Sequence, residues 1–538
     1  MGRVTLSRPT SPGHRSPNRE QDPLPTSPRS RRTIVLVMVD QLAAKWLEVA
    51  RDHNVVDLPN FDAMQAEGVT FTRAFTPNPV CSPARASLAT GMPTPSHGLT
   101  ECGYRLDPSV PTFMQSLQSQ GWRTGAFGKL HLIPQLEALR PDYRPYGFDV
   151  THITEDSRVG EWTDWVADTH PEHYDAALAT VWMTMIRELK EYGPTKEDLR
   201  ARVLAARERY PECTQEAYVL PYPGEVSQTA WITDRALDFL DSADDRDVFA
   251  QVSYVQPHNP FTPPPEYVDR VRTDNIPEPV EAEWVDAPIP YYRQERYARP
   301  SYEERDWRRD RQLYFADLAH LDHELGRIRE ALVRTGRVDG ALVMFTSDHG
   351  ELLHDHGLLG KWERHYDACI RVPLIVTAPG THAARDCDAF VDLTDIAATV
   401  YDWAGLPHPS VPLRDNGTPT MGRADLLTGR SLWPHIVGVG QGQQRDHVLV
   451  QSNNSHLEVG PRSWARTLRT DRYRYSRHLS GGGEQLFDLR ADPDEQRNLA
   501  YDKAHESVRT GLLELLAEAS VTDAFPSSPR ELYQLGSW

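Results

Sequence analysis

Three short apolar runs interrupt a mostly polar chain: TIVLVMV at 33–39, VFAQVSYV at 248–255 and ALVMFTS at 341–347. Their length and their β-branched or aromatic content predict strands buried on both faces. The first is too short to cross a membrane and ends in an aspartate. A different period governs 311–334, where Leu318, Leu321, Leu325, Ile328 and Leu332 recur at alternating three- and four-residue steps. That spacing gives one apolar stripe and predicts a helix. A second helix is predicted over SQTAWITDRALDFLDSA, just before the second run. Strands alternating with helices predict an α/β fold, a large mostly parallel sheet sandwiched by helices.

The rest of the pattern divides the chain. Residues 1–32 are rich in Pro, Ser and Arg and predict a disordered segment. A catalytic unit is expected over 33–436, closed by GRSLWPHI at 429–436. Two polar stretches within it, 152–226 and 264–310, read as insertions that cover a site. Their aromatics, among them Trp162, Trp165, Trp284, Tyr291 and Tyr292, are expected to pack more than to line a pocket. Beyond it, WARTLRTDRYRYSRHL and EQLFDLRADPDEQRNLA predict a strand pair, a turn and a helix, giving a smaller C-terminal α+β subdomain over 437–538.

In a parallel sheet, functional groups collect beyond the carboxyl ends of the strands. Here the first run ends in Asp40 and Gln41, the second runs into QPHNP with His258, and the third ends in Asp348, His349, Gly350 and Glu351. Any one aspartate there also serves as a helix cap or a solvated turn residue. Two such ends together offer two carboxylates, an amide oxygen and an imidazole, an oxygen-rich set suited to a hard divalent cation. HGELLHDHG matches no zinc spacing, so His354 and His356 are read as loop residues. His258 stands between prolines, as a turn residue or a catalytic one. Lys129 and His131 in FGKLHL, and Lys361 in LLGKWERHYD, occupy apolar contexts where a lysine has reason to hold an anion. Cys81, in NPVCSPARASLATGM, lies between a proline-punctuated loop and a helix start, four residues before Arg85.

Composition narrows the partners. The formal charge of −19, from 58 basic and 77 acidic side chains, argues against a nucleic-acid or anionic-membrane surface. No apolar run near the start has the length of a signal peptide. Five cysteines form no CxxC pair and are odd in number, as expected of free thiols in a reducing compartment, the cytoplasm by default. Nothing around Cys102, Cys213, Cys369 or Cys387 marks a reactive thiolate.

VMVDQ, CSPARASLATG, GKLHL, PHNPF, TSDHGE, DHGLLGK and RVPLIVTAPG, in this order and followed by the tail DLRADPDEQRNLA, closely resemble the sulfatase family of the alkaline phosphatase superfamily, from about residue 33 to 500. The resemblance implies an alkaline-phosphatase-like fold and hydrolysis of a small-molecule sulfate ester. It implies that Cys81 is oxidised to formylglycine (3-oxoalanine) by a formylglycine-generating enzyme. It implies Asp40, Gln41, Asp348 and His349 as metal ligands, Arg85 and Lys129 holding the hydrated aldehyde, His131 assisting it, and His258 and Lys361 at the sulfate and the leaving-group oxygen. Many sulfatases have a second aspartate at the position of Gln41 and often asparagine at that of His349. The Gln and His pair also occurs in phosphonate monoester hydrolases, so phosphonate monoester or phosphodiester hydrolysis is the alternative reading. The resemblance implies Ca2+, and the less negative ligand shell keeps Mn2+ open. An inactive binding relative is a third reading, against which the intact set of site residues argues.

Overall fold

The computed structural model describes residues 31–283, 306–381, 384–409, 427–439, 444–453, 464–479 and 483–523. The predicted disordered segment therefore lies outside the described residues, except for its last two positions. Among the described residues, eight strands build one sheet: β1 (Thr33–Val39), β2 (Val69–Phe75), β3 (Arg123–Gly128), β4 (Val150–Ile153), β5 (Val248–Ser253), β6 (Ala341–Ser347), β7 (Leu374–Thr377) and β8 (Arg385–Asp392). Their order is β4-β3-β5-β1-β6-β7-β2-β8. The three apolar runs are the adjacent central strands β5, β1 and β6, paired parallel. Within this sheet all pairings are parallel except those of β7, which runs against both β6 and β2.

Burial on both faces explains why the central runs do not alternate in polarity. Val35, Val37 and Val39 enter one core layer, and Ile34, Leu36 and Met38 the other. The first layer is covered by the helices Gln228–Asp241 and Trp307–Arg334, whose Leu318, Leu321, Leu325, Ile328 and Leu332 are all buried in it. Both helices begin at side-chain caps, Ser227 accepting from the Ala230 amide and Asp306 from those of Arg308 and Arg309. On the other face lie Cys81–Thr90, Phe113–Ser119 and Thr394–Ala404.

The stretch 152–226 contributes the helices Glu161–Thr169, Tyr174–Ala179 and Leu199–Arg209, and much of it enters the first core layer. Trp162 is fully buried with its indole N–H donating to the Val226 carbonyl, and Trp165 packs half-buried against the same layer. Trp284, Tyr291 and Tyr292 lie outside the described residues. Toward the end of the chain, β9 (His447–Asn453), β10 (Trp464–Thr470), β11 (Tyr473–His478) and β12 (Glu484–Asp488) form an antiparallel sheet in the order β12-β11-β10-β9. The helix Glu506–Asp523 covers it. The expected strand pair is β10 and β11, but EQLFD is a further strand, and the helix begins only after the tail motif. The motif itself is a turn, because the Asp492 carboxylate accepts the amides of Gln496 and Arg497. Among the described residues, no helix is long and apolar enough to cross a membrane.

The register of the central strands sets the site. Val39 is level with Ser347, and the Asp348 amide donates to the Val39 carbonyl, so Asp40 and Asp348 leave the sheet side by side. The long helix braces this rim, with the Tyr314 hydroxyl donating to the Gln41 carbonyl at 2.8 Å and Asp317 accepting the Thr262 amide at 3.0 Å. Asp317 is fully buried, its Oδ1 has no hydrogen-bond partner, and burial pushes its carboxyl up to about 8. The folded state thus binds a proton here that the unfolded chain has already lost above about pH 4. The stabilising effect is complete below that pH and fades as pH rises through 8. Asp317→Asn keeps the acceptor and has no charge to lose. Its melting temperature relative to the wild type is expected to rise progressively between pH 5 and pH 8.5; an offset independent of pH would contradict this.

Candidate active site

Short sequence signals place each side chain at the rim. Gln41 turns out of β1 with φ of 68°, in the left-handed region, directly after Asp40. At the end of β3, Gly128 has φ of 93°, and a Cβ there would lie 2.0 Å from the Ser253 carbonyl oxygen. Only glycine fits, and the turn carries Lys129 to the rim, its amide donating to that carbonyl. Cys81 opens its helix after the extended Val80, so its side chain stands at the positive end of the helix dipole. Pro83 is tolerated because first-turn N–H groups have no acceptor within the helix. Arg85 follows one turn later on the same face.

These elements converge. Ligand atoms of Asp40, Cys81, Asp348 and His349 lie within 4.8 Å of one another, and all four residues are buried. Cys81 Sγ is 2.8 Å from Lys361 Nζ, 3.2 Å from His349 Nε2 and 3.8 Å from Asp40 Oδ1. Arg85 donates from Nε to Asp348 at 2.8 Å and from Nη2 to Asp40 at 3.2 Å. Its Nη1 donates to the Lys129 carbonyl and to Ser253 Oγ. Lys129 Nζ lies 2.6 Å from both Asp40 and Asp156, and Lys361 Nζ 3.7 Å from Asp40.

Charge decides protonation here. Burial pushes Asp40 up, but Lys129, Lys361 and His258 hold it well below the usual carboxylate range. Asp348 goes the other way, raised by burial and by Asp40's repulsion against His349 and Arg85. Burial alone would raise the Cys81 thiol; a hydrogen bond with Cys102 and the charges of Lys129, Lys361 and His349 hold it well below its usual value. The site therefore stabilises an anion at position 81, while Arg85 and His349 offset the burial of Asp348 and its repulsion by Asp40 only in part. A divalent cation between the two carboxylates would supply the remaining positive charge.

The remaining donors fit such an ion. The Gln41 amide nitrogen is taken by the Glu351 carboxylate and by Asn259 Oδ1, while its Oε1 is buried with no hydrogen-bond partner. His349 Nδ1 donates to the Gly350 carbonyl at 3.1 Å and turns Nε2 to the cluster.

His258 and His131 lie around this centre. His258 Nδ1 donates to the Asn259 carbonyl at 2.5 Å, leaving Nε2 for proton exchange, and the Trp182 ring meets it edge-on at 5.9 Å. His131 has φ of 50°. Its amide donates to Glu155 and its Nδ1 lies 3.5 Å from Gln135 Nε2. Gln135 in turn donates to Asp156 at 2.7 Å. Sequence reasoning missed Asp156, Glu155 and Gln135. It also did not connect Cys102, which is exposed and whose thiol hydrogen-bonds with that of Cys81. His354, 2.7 Å from Asp310, and His356, stacked on Tyr366, stand outside the metal-ligating group.

Comparison with known proteins gives the same direction. The sulfatase family model matches residues 32–406, and the model for the C-terminal part of N-sulphoglucosamine sulphohydrolase matches 354–522. An arylsulfatase of Clostridium perfringens is 27% identical, covering 88% of this chain and 91% of its own. The multifunctional alkaline phosphatase superfamily protein PehA of Trinickia caryophylli is 26% identical over 89% and 93% of the two chains. The phosphonate monoester hydrolase of Agrobacterium radiobacter superposes with a TM-score of 0.70 at 24% identity, covering 92% of this chain and 96% of its own, which is a likeness of fold.

The ion pairs of Arg85 give a prediction for the protein itself. Arg85→Ala leaves two buried carboxylates facing each other, at a cost of about 3–5 kcal/mol. The melting temperature in chelator is expected to fall sharply, and added divalent cation to recover most of the loss. An unchanged melting temperature in chelator would contradict it.

Proposed function

Because the chain belongs to the sulfatase family and hydrolyses sulfate esters, we propose that it does so through a formylglycine hydrate at position 81, formed from Cys81 by a formylglycine-generating enzyme. The observation that carries this reading is the environment of Cys81 Sγ. It stands at a helix N-terminus, 2.8 Å from Lys361 Nζ, under charges that favour an anion. One hydroxyl of such a hydrate attacks sulfur, and the other returns to the carbonyl and expels sulfate without a second attack on sulfur.

Asp40, Gln41, Asp348 and His349 would hold the metal ion, calcium in our reading with manganese as the alternative, which when bound supplies Lewis-acid polarisation of oxygen. The chain's own residues do the rest. Arg85 pairs with both aspartates and Lys129 with Asp40, which aligns the carboxylates beside position 81, where the two cations would hold the hydrate. Lys361 meets negative charge on the sulfuryl oxygens. His258, with Nδ1 occupied by a carbonyl, offers Nε2 to the departing alcohol. His131, held through Glu155 and Gln135, assists the hydrate. All five cysteines are free, which supports the cytoplasm as the compartment. A phosphonate monoester brings the same single negative charge as a sulfate monoester, so it is the competing substrate.

Two measurements check this. A Cys81 peptide from cells containing the maturing enzyme is expected to carry the aldehyde mass and react with hydrazide probes; a free thiol in fully active protein would contradict it. Across aryl sulfates of graded phenol acidity, His258→Ala is expected to lower kcat/KM by about 10²–10⁴ on poor leaving groups and far less on nitrophenols. Lys361→Ala should impair the series evenly. A leaving-group slope unchanged by His258→Ala would remove that residue from the acid role, and a higher kcat/KM on phenyl phosphonate would move the assignment to the phosphonate reading.

A further inference from the structure

Gln41 is the one neutral amide in the proposed ligand set, and an amide presents an oxygen to a cation only if something decides which of its two ends faces inward. We infer that Glu351 is the positioning residue that makes this decision: its buried carboxylate holds Gln41 by the amide nitrogen and so aims Oε1 at the metal position. The inference rests on the reading of Gln41 as a ligand.

A carboxylate accepts hydrogen bonds and does not donate them, so the group facing Glu351 Oε2 has to be the Gln41 NH2. The second acceptor agrees. Gln41 Nε2 also lies 3.4 Å from Asn259 Oδ1. The Asn259 amide is fixed in turn, because its Nδ2 donates to the Glu216 carboxylate at 2.9 Å. Two acceptor-only groups thus orient two amides in series, and what remains of Gln41 is the buried, unpartnered Oε1.

Glu351 itself cannot turn away. It is fully buried, and its Oε1 accepts the amides of Leu353 and Gly360. Its backbone carbonyl accepts the Trp46 indole N–H at 2.8 Å. Gly360 directly precedes Lys361, so one carboxylate ties the amide at the metal position to the loop that delivers the lysine.

The test exchanges donor and acceptor. In Glu351→Gln the new amide must keep its oxygen on the Leu353 and Gly360 N–H groups, and so presents NH2 to Gln41, whose own amide then reverses. Titration calorimetry of the metal-stripped protein with Ca2+ and with Mn2+ is expected to show affinity weakened about 10–100-fold, with the melting temperature in chelator close to that of the wild type. Gln41→Glu alone places two carboxylates in contact and should lower the melting temperature in chelator. The double variant Gln41→Glu with Glu351→Gln restores one donor facing one acceptor, and should regain both metal affinity and that melting temperature. This rescue is read against Gln41→Glu, so it decides the question even if Glu351→Gln alone fails to fold. Wild-type affinity in a folded Glu351→Gln, or a double variant no better than Gln41→Glu, would overturn the inference. If Gln41→Ala binds metal as the wild type does, the ligand reading fails first; if Gln41→Ala is weakened while Glu351→Gln is not, only the role of Glu351 fails.

Discussion

Two carboxylates, Asp40 and Asp348, leave neighbouring parallel strands at the same level, fully buried and with ligand atoms within 4.8 Å of each other. At that separation two unit charges repel by roughly 3–4 kcal/mol even at an effective dielectric of 20. Nothing in the β1 and β6 pairing relieves this, because the register that aligns the strands is the register that aligns the charges. The opposing positive groups therefore have to come from elsewhere in the fold. Arg85 reaches both carboxylates from the helix on one face, Lys129 arrives from the turn after β3, and Lys361 comes from the loop after β6. Position 81 lies where these cations meet, and the anion that they favour there is a consequence of the same compensation.

The sheet supplies the rigidity that this arrangement needs. The three central strands are buried on both faces, and their side chains are shared between two core layers. The loops that leave them are held by specific contacts instead of by length. Tyr314 and Asp317 pin the Gln41 and Thr262 backbones from the long helix. Glu155 fixes the backbone at Leu130 and His131, and His365 fastens the segment after Lys361 to Ser452 and Thr467 of the second sheet. Gln485 on Tyr366, Arg469 on Asp367 and the Gln451 amide on the Pro77 carbonyl add to this attachment of the second sheet.

The sequence showed those parts of the fold in which burial leaves a mark. TIVLVMV, VFAQVSYV and ALVMFTS are legible as strands because a strand buried on both faces has no polar alternation, and the 311–334 helix is legible because its packed leucines recur at helical spacing, although polar residues such as Asp317, His320 and Glu324 on its other faces are buried as well. The reversed β7 and the strand β12 were not. LIVT reads the same in either direction, and its orientation depends on β6 and β2, both distant in the chain; EQLFD pairs, among the described strands, with the neighbouring β11 alone, and its five residues carry no alternation that marks a strand. The same limit applies at the site. Asp40, Asp348, His349 and the cysteine stand at strand or helix ends, where position alone raises suspicion. Asp156 and Gln135 lie in stretches without a period, and only the folded chain brings them to Lys129 and His131. Cys102 gave no local signal because its partner, Cys81, is 21 residues away in sequence.

In the proposed mechanism the hydrate at position 81 carries the attacking oxygen, and its second hydroxyl drives the release of sulfate. Cys81→Ser separates the two, since serine has one hydroxyl in the same cationic surroundings and no route back to a carbonyl. Incubated with an aryl sulfate, this variant is expected to release one equivalent of phenol and then stop, and its intact mass should increase by a single sulfuryl group located on residue 81. Continued turnover by the serine variant, or a complete absence of both burst and sulfation in protein that still binds metal, would contradict the account.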